Sequence, residues 1–250
     1  MTDEPRSLEM RVDRDIDQII VDSTTSQQPA PHASRGALDT REDAIRDAVL
    51  RMGTLVVAAI RRAGEALKAH DAALAHEVIV GDGAINDAQR AVSRLIVEAI
   101  ATQQPVARDL RYLLTIDHVT YELERIGDHA SSVAKQVKKL APEPPLEGYV
   151  HLPEMAERAA VLVHGVLQAL VDADAVRARA VAVEDDEIDR LYHETFDRAV
   201  EIMRRDPENV ERGTRIVITS HYLERIGDRA TNIAEDIVYL VTGDVEDLNP

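Results

Sequence analysis

The chain has 250 residues, 45% of them hydrophobic and 30% charged, with a formal net charge of −17, 3% aromatics, and no cysteine or tryptophan. These bounds describe a globular chain with room for one large or two small cores. They exclude disulfides, thiolate metal sites and cysteine nucleophiles, and they set the surface against nucleic acid and anionic lipid.

Ala, Val, Ile, Leu, Glu and Arg dominate, a composition that favours helices over strands. Residues 1–38 differ from the rest. SLEMRVDRDIDQIIVDS allows a short helix or strand, and TTSQQPAPHASRGA follows it as a Pro/Ser/Gln-rich stretch. Together they predict a mostly flexible N-terminal extension. The charged start, MTDEPRSLEMRVDRD, is unlike a signal peptide, and no apolar run reaches 18 residues. The expectation is a cytoplasmic protein that meets a membrane only through partners.

From about residue 40 the apolar period is helical. Ala44, Val49, Met52, Val56, Ala59 and Ala63 define a first helix running to about Lys68, broken at His70-Asp71. Val78, Ile85, Val92, Leu95 and Ala99 define a second, which ends before Gln104-Pro105. Pro105 is placed to start the third, whose stripe is Val119, Leu123, Ile126, Ala130, Val133 and Val137. APEPPLEGYVHLP, at 141–153, is a proline-rich linker. A fourth helix, about 154–171, uses Met155, Ala159, Leu162, Val166 and Ala169. A fifth, about 174–205, uses Val181, Ile188, Leu191, Ala199 and Ile202, and Asp206-Pro207 stops it. A sixth covers about 208–241, with Thr242-Gly243 as its C-terminal cap.

The second three helices repeat the first three. ERIGD stands at 124–128 and again at 224–228, Pro105 matches Pro207, and Asp82 and Ile85 match Asp185 and Ile188. Three helices in each unit predict an all-α protein of two tandem, pseudo-symmetric three-helix bundles. The expected boundaries are an extension over 1–38, bundles over 39–141 and 153–243, a linker over 142–152 and an acidic tail over 244–250.

Within ERIGD the two acids fall at i and i+4, on one face about 5–6 Å apart, where like charges repel. A mid-helix glycine costs about 1 kcal/mol relative to alanine, which predicts close helix approach, or a hinge, at Gly127 and Gly227. Asp82 with Asn86, and Asp185 with Asp189, carry the same spacing on the preceding helix. A short connection makes the paired helices antiparallel, so each bundle can gather four oxygen-bearing side chains. These are Asp82, Asn86, Glu124 and Asp128 in the first, and Asp185, Asp189, Glu224 and Asp228 in the second. Hard oxygen ligands suit a divalent or trivalent ion such as Mg, Mn, Ca or Fe. Zn stays a candidate, although histidine is sparse near the motifs. A solvated acidic face, with Arg215, Arg225 and Arg229 serving nearby carboxylates, is the competing explanation. No nucleophile elbow, phosphate loop or zinc-protease motif occurs.

The chain resembles the PhoU family over about 40–243. The likeness is carried by QQPVARDLRYLLTI at 103–116, ERIGDHASSVAK at 124–135, DDEID at 185–189 and ERIGDRATNIAEDIVYLVTG at 224–243. The resemblance implies two three-helix bundles whose acidic motifs bind metal through the eight residues named above. It implies a non-enzymatic negative regulator of the phosphate-starvation response that tends to form a homodimer. Its implied partners are the ATPase subunit of the phosphate ABC transporter and a sensor histidine kinase, with no nucleic acid. Two features depart from the family pattern. The first 38 residues have no counterpart, and Asn86 stands where the second repeat has Asp189, leaving the first site one charge short. A metal-free helical scaffold and a carboxylate-bridged di-iron enzyme are the alternatives. The second lacks the Glu-x-x-His pairs such sites use.

Overall fold

The structure is a computed structural model that describes residues 33–249, except 147, 148 and 150. The predicted extension therefore lies largely outside the described residues. Seven α-helices are described: α1 (Ala33–Ala69), α2 (Ala72–Gln103), α3 (Arg108–Leu140), α4 (Leu152–Asp172), α5 (Ala175–Glu184), α6 (Asp186–Arg205) and α7 (Val210–Thr242). No strand occurs among the described residues, and a 3-10 turn, Pro207–Asn209, leads into α7.

The helix junctions repeat with the sequence. His70 and Ala173 each take a left-handed conformation (φ 52° and 50°) that turns the chain. The next residue then caps a helix. Asp71 accepts from the amides of Ala73 and Leu74, and Asp174 accepts from those of Val176 and Arg177. The second junction in each repeat differs. Pro207 opens a 3-10 turn as the first residue after Asp206. Pro105 does not start α3. Gln104 and Ala107 both adopt positive φ, so the proline stays in the loop and the helix begins at Arg108.

From Leu38 onward the described residues form one compact unit. The apolar stripes of all the helices meet in a single core, with Met52, Ile85, Leu123, Met155, Ile188 and Leu223 among its buried members. α1 runs antiparallel to α2, as the Arg41–Glu98 and Arg62–Glu77 ion pairs record. α1 also meets α4 of the other repeat, with Gly53 under Leu167 and Gly64 beside Ala156.

The third helices of the repeats, α3 and α7, pack antiparallel across the pseudo-symmetry axis. Arg229 donates to both carboxylate oxygens of Glu122 at 3.1 and 3.2 Å, and His118 Nδ1 lies 2.6 Å from Asp236 Oδ2. Glu122 is only 2% exposed. Burying a carboxylate is costly without a partner, so Arg229 is a structural counterion as well as the residue after Asp228. At the symmetry-related position the pair is His129 with Tyr222, ring centroids 5.9 Å apart, and carries no such ion pair.

One difference from the sequence reading bears on function. The fifth predicted helix is broken at Asp185 into α5 and α6. Asp185 keeps helical dihedrals at the junction (φ −65°, ψ −32°) and packs there against α7. A Cβ built on Gly227 would overlap Asp185 Oδ1 and lie 3.0 Å from its Cγ. The glycine leaves a notch, and the carboxylate fills it.

Candidate metal centre

Each repeat brings its acidic pair on the second helix toward ERIGD on the third, and the two results differ. In the second repeat, Asp189, Glu224 and Asp228 each place one carboxylate oxygen within 4.8 Å of the other two. Among the described residues this is the one cluster of acidic, histidine or cysteine side chains close enough to share an ion. Asp185 lies against the same cluster and is 2% exposed. Its Oδ2 accepts from Thr231 Oγ1 at 3.2 Å, while its Oδ1 has no hydrogen-bond partner. Glu224 Oε2 is likewise buried and makes no hydrogen bond, with His221 Nδ1 3.2 Å away.

Four carboxylates so close together cannot all stay charged cheaply. Burial, then the charge of Asp189, pushes the Asp185 carboxyl up to about 7, with Asp228 and Glu224 adding to the rise. Burial, then Asp228 and Asp189, pushes Glu224 up to about 7 against the pull of Arg225 and His193. Asp189 is raised by burial and by Asp228. Two buried oxygens without hydrogen bonds, in a group of four acids, need either protons or a cation. An ion bound through Asp189, Glu224 and Asp228, with Asp185 beneath, satisfies them, so these residues fit an oxygen-ligated metal. The arrangement offers oxygen ligands and negative charge.

The first repeat is looser. Asp82, Glu124 and Asp128 sense one another: burial and then Asp128 raise Asp82, and burial, Asp128 and, more weakly, Asp82 raise Glu124. Their oxygens do not gather as tightly as the second set does. Asn86 donates to Asp82 Oδ2 at 3.3 Å, and Lys135 lies close enough to oppose the rise at Asp82. The notch at Gly127 holds no acid. Ile85 fills it, with Cδ1 and Cγ2 at 3.0 and 3.1 Å from a built Cβ. The first site therefore lacks a buried counterpart of Asp185.

Arginines attend both motifs, as the solvated-face alternative expects. Arg125 donates to Asp128 at 3.1 Å and Arg225 to Asp228 at 2.7 Å. The motif glutamates are nevertheless not a free surface: the Glu124 and Glu224 side chains are each 20% exposed, while Asp128 is 40% exposed.

Several residues of this region went unmarked in the sequence reading. Thr231, and Glu122 as the acid that Arg229 serves, belong to contacts between distant segments. His193 and His221 did leave a local signal, as Asp189-x-x-x-His193 and His221-x-x-Glu224 place each imidazole one turn from a motif acid.

The fold and this geometry define a class: a duplicated, all-helical protein in which each half presents a carboxylate-lined site between two antiparallel helices. A model of the PhoU domain matches residues 49–137 and 152–237, and the chain belongs to the PhoU family. It is 34% identical over 217 residues to the phosphate-specific transport system accessory protein PhoU homolog of Clostridium acetobutylicum, covering 86% of this chain and 99% of that protein. The Pseudomonas aeruginosa homolog of the same description is 37% identical over 200 residues, or 80% of this chain and 83% of that protein. The crystal structure of PhoU from Pseudomonas aeruginosa superposes with a TM-score of 0.80 at 36% identity, over 82% of this chain and 99% of that one. The phosphate transport system regulatory protein PhoU from Streptococcus pneumoniae gives 0.77 at 29%, over 84% and 99%. No helix among the described residues is long and apolar enough to cross a membrane.

Proposed function

We propose that this protein is a non-enzymatic, metal-binding regulator of phosphate uptake and phosphate-starvation signalling. It acts in the cytoplasm as an adaptor, coupling the ATPase subunit of the phosphate ABC transporter to a sensor histidine kinase and restraining the response when phosphate is plentiful. Membership of a family whose relatives are named accessory and regulatory proteins of phosphate transport supports the regulatory part. The single observation that carries the metal part is the cluster of Asp189, Glu224 and Asp228 over the buried Asp185, with two carboxylate oxygens left without hydrogen bonds. A partner with a basic surface suits the strongly negative chain, and the homodimer is proposed from the family resemblance alone.

Two measurements test it. Elemental analysis of purified protein is expected to find a metal in the wild type that is lost when Asp185, Asp189, Glu224 and Asp228 are changed together to alanine. Equal metal content in both would leave the arginine-compensated scaffold as the better reading. Deleting the gene in its host is expected to raise phosphate-regulon expression at high phosphate, and unchanged expression and uptake would remove the regulatory role.

A further inference from the structure

The contact between α3 and α7 carries a second group of titratable side chains, outside the carboxylate sites. His118 Nδ1 lies 2.6 Å from Asp236 Oδ2, and its Nε2 lies 3.6 Å from Glu122 Oε1. Arg229 holds the same Glu122 at 3.1 and 3.2 Å. One imidazole thus reaches a carboxylate on its own helix and another on the helix of the other repeat. The Glu122 and Asp236 side chains are 3% and 18% exposed, whereas His118 is 53% exposed and can exchange its proton with water. Among the described residues His118 is the one hydrogen-bond partner of the Asp236 carboxylate.

Charge balance sets what that proton does. With His118 protonated, two cations face two carboxylates. Without it Arg229 alone remains, and its bonds go to Glu122. Asp236 is then a largely buried carboxylate without a cation, a costly arrangement. Asp236, Glu122 and Arg229 are the charged groups that act on His118, and Tyr121 stacks on its ring at 6.5 Å. Burial pulls the imidazole down, but the bond to Asp236 and the charges of Asp236 and Glu122 outweigh burial and Arg229, so it ends above its ordinary value. Burial pushes Asp236 up to about 6, against the bond to His118 and its charge, with Glu122 and Glu235 adding to the rise. The mirrored half of the contact has no such group. Ile218 and Gln136 stand at the positions matching His118 and Asp236, and Tyr222 and His129 at those matching Glu122 and Arg229.

We propose that His118 is a proton-operated latch between the two repeats. Protonated, it bridges Glu122 on α3 to Asp236 on α7 and holds that end of the contact closed. Deprotonated, it leaves Asp236 to turn toward water, and that end opens while the mirrored end, which holds no carboxylate, stays shut. Opening at one end turns one repeat against the other. Because the folded imidazole sits above its ordinary 6.5, the closing contribution is fully present below that value and is lost as pH rises past it.

The chain has no cysteine, so spin labels can be attached at Val97→Cys on α2 and Val176→Cys on α5. Both positions are exposed, and these helices pack beside α3 and α7. Pulsed electron–electron double resonance reads the label separation in full-length protein at about pH 6.5 and about pH 8.5, across the imidazole range. A shift of at least about 2 Å is expected between them. His118→Gln, neutral at both, is expected to give the high-pH separation throughout, and His118→Lys, charged at both, the low-pH one. The His118 ring signal in nuclear magnetic resonance, assigned by its loss in His118→Gln, is expected to titrate above 6.5. A wild-type separation that ignores pH, a shift of equal size in His118→Gln, or a ring that titrates below its ordinary value overturns the latch. If His118→Gln does not fold, a pH-dependent separation in His118→Lys overturns it, and a fixed low-pH separation there supports it.

Discussion

The two ERIGD motifs are identical in sequence and unequal in surroundings. At Gly127 the notch is filled by Ile85, and the neighbouring acids are tempered by Asn86, Lys135 and Arg125. At Gly227 the notch is filled by Asp185, which stands at the junction of α5 and α6, and two buried oxygens are left without hydrogen bonds. Duplication supplied the same pentapeptide twice, and the partners on the preceding helix decide what each copy does. The first reads as a largely neutralised helix contact, the second as a site strained by excess negative charge.

The largest effect should come from the asymmetric contact between α3 and α7. Arg229→Ala removes the closer cation of the buried Glu122, leaving only His118 Nε2 at 3.6 Å, and is expected to cost about 3 kcal/mol. At the mirrored contact, His129→Leu removes a buried nitrogen that has no partner and should cost under about 1 kcal/mol. Urea midpoints of the two variants measure the difference, and equal costs would contradict the asymmetry.

Next in size is the glycine pair. Gly227→Ala drives a methyl into a carboxylate that has nowhere to go, so about 2 kcal/mol of destabilisation is expected. Gly127→Ala meets only the methyl ends of Ile85. There the gain of about 1 kcal/mol in helix propensity should offset the displacement, leaving stability within about 1 kcal/mol of wild type. Chemical denaturation of both single variants compares them directly, and a matching loss at Gly127 would show that the two notches are equivalent.

Metal affinity should divide the sites in the same direction. Asp189→Asn with Glu224→Gln is expected to weaken Mn²⁺ binding at least about tenfold, about 1.4 kcal/mol. The corresponding Asp82→Asn with Glu124→Gln should change it less. Calorimetric titration of the two double variants against wild type reads both numbers, and the reverse order would make the first site the principal one.

The smallest effect is on pH dependence. The folded Asp185 and Glu224 carboxyls titrate at about 7, above the 3.8 and 4.5 of ordinary carboxyls. Between about pH 4 and 7 the folded chain therefore holds protons that the unfolded chain has released. Their contribution to metal-free stability is fully present at the low end and is lost as pH rises through 7. The metal-free protein should melt a few degrees higher at pH 6 than at pH 8. Asp185→Asn with Glu224→Gln should flatten that slope, and saturating Mn²⁺ should reverse it, because the ion competes with the protons. Melting curves that slope alike in wild type and in the double variant would rule these two groups out as the source.

Much of the fold was legible beforehand. Helical period, Asp-capped breaks and the doubled motif sufficed for two three-helix units, because these signals are local and repeat along the chain. The start of α3 was misplaced, since proline's preference for a first helical turn yielded to a loop with two left-handed residues at Gln104 and Ala107. The i, i+4 spacing named eight candidate side chains, of which Asp189, Glu224 and Asp228 gather in the structure. The inequality of the two sets was only partly legible: Asn86 showed a missing charge, whereas Arg125 over Tyr121 and His221 beside Glu224 depend on side-chain directions across a helix surface.

The sequence by itself determined that this chain is helical and duplicated, with each half carrying carboxylates at one-turn spacing around a glycine. Those properties follow from periodicity and residue type along a single strand of text. Only the tertiary structure decided which residue enters each glycine notch, that α5 and α6 part at Asp185, and that the buried Glu122 of one repeat is neutralised by Arg229 of the other. Each of these is settled by which side chains meet when the helices close on one another, where burial makes an unpaired charge costly and a missing Cβ makes room for one.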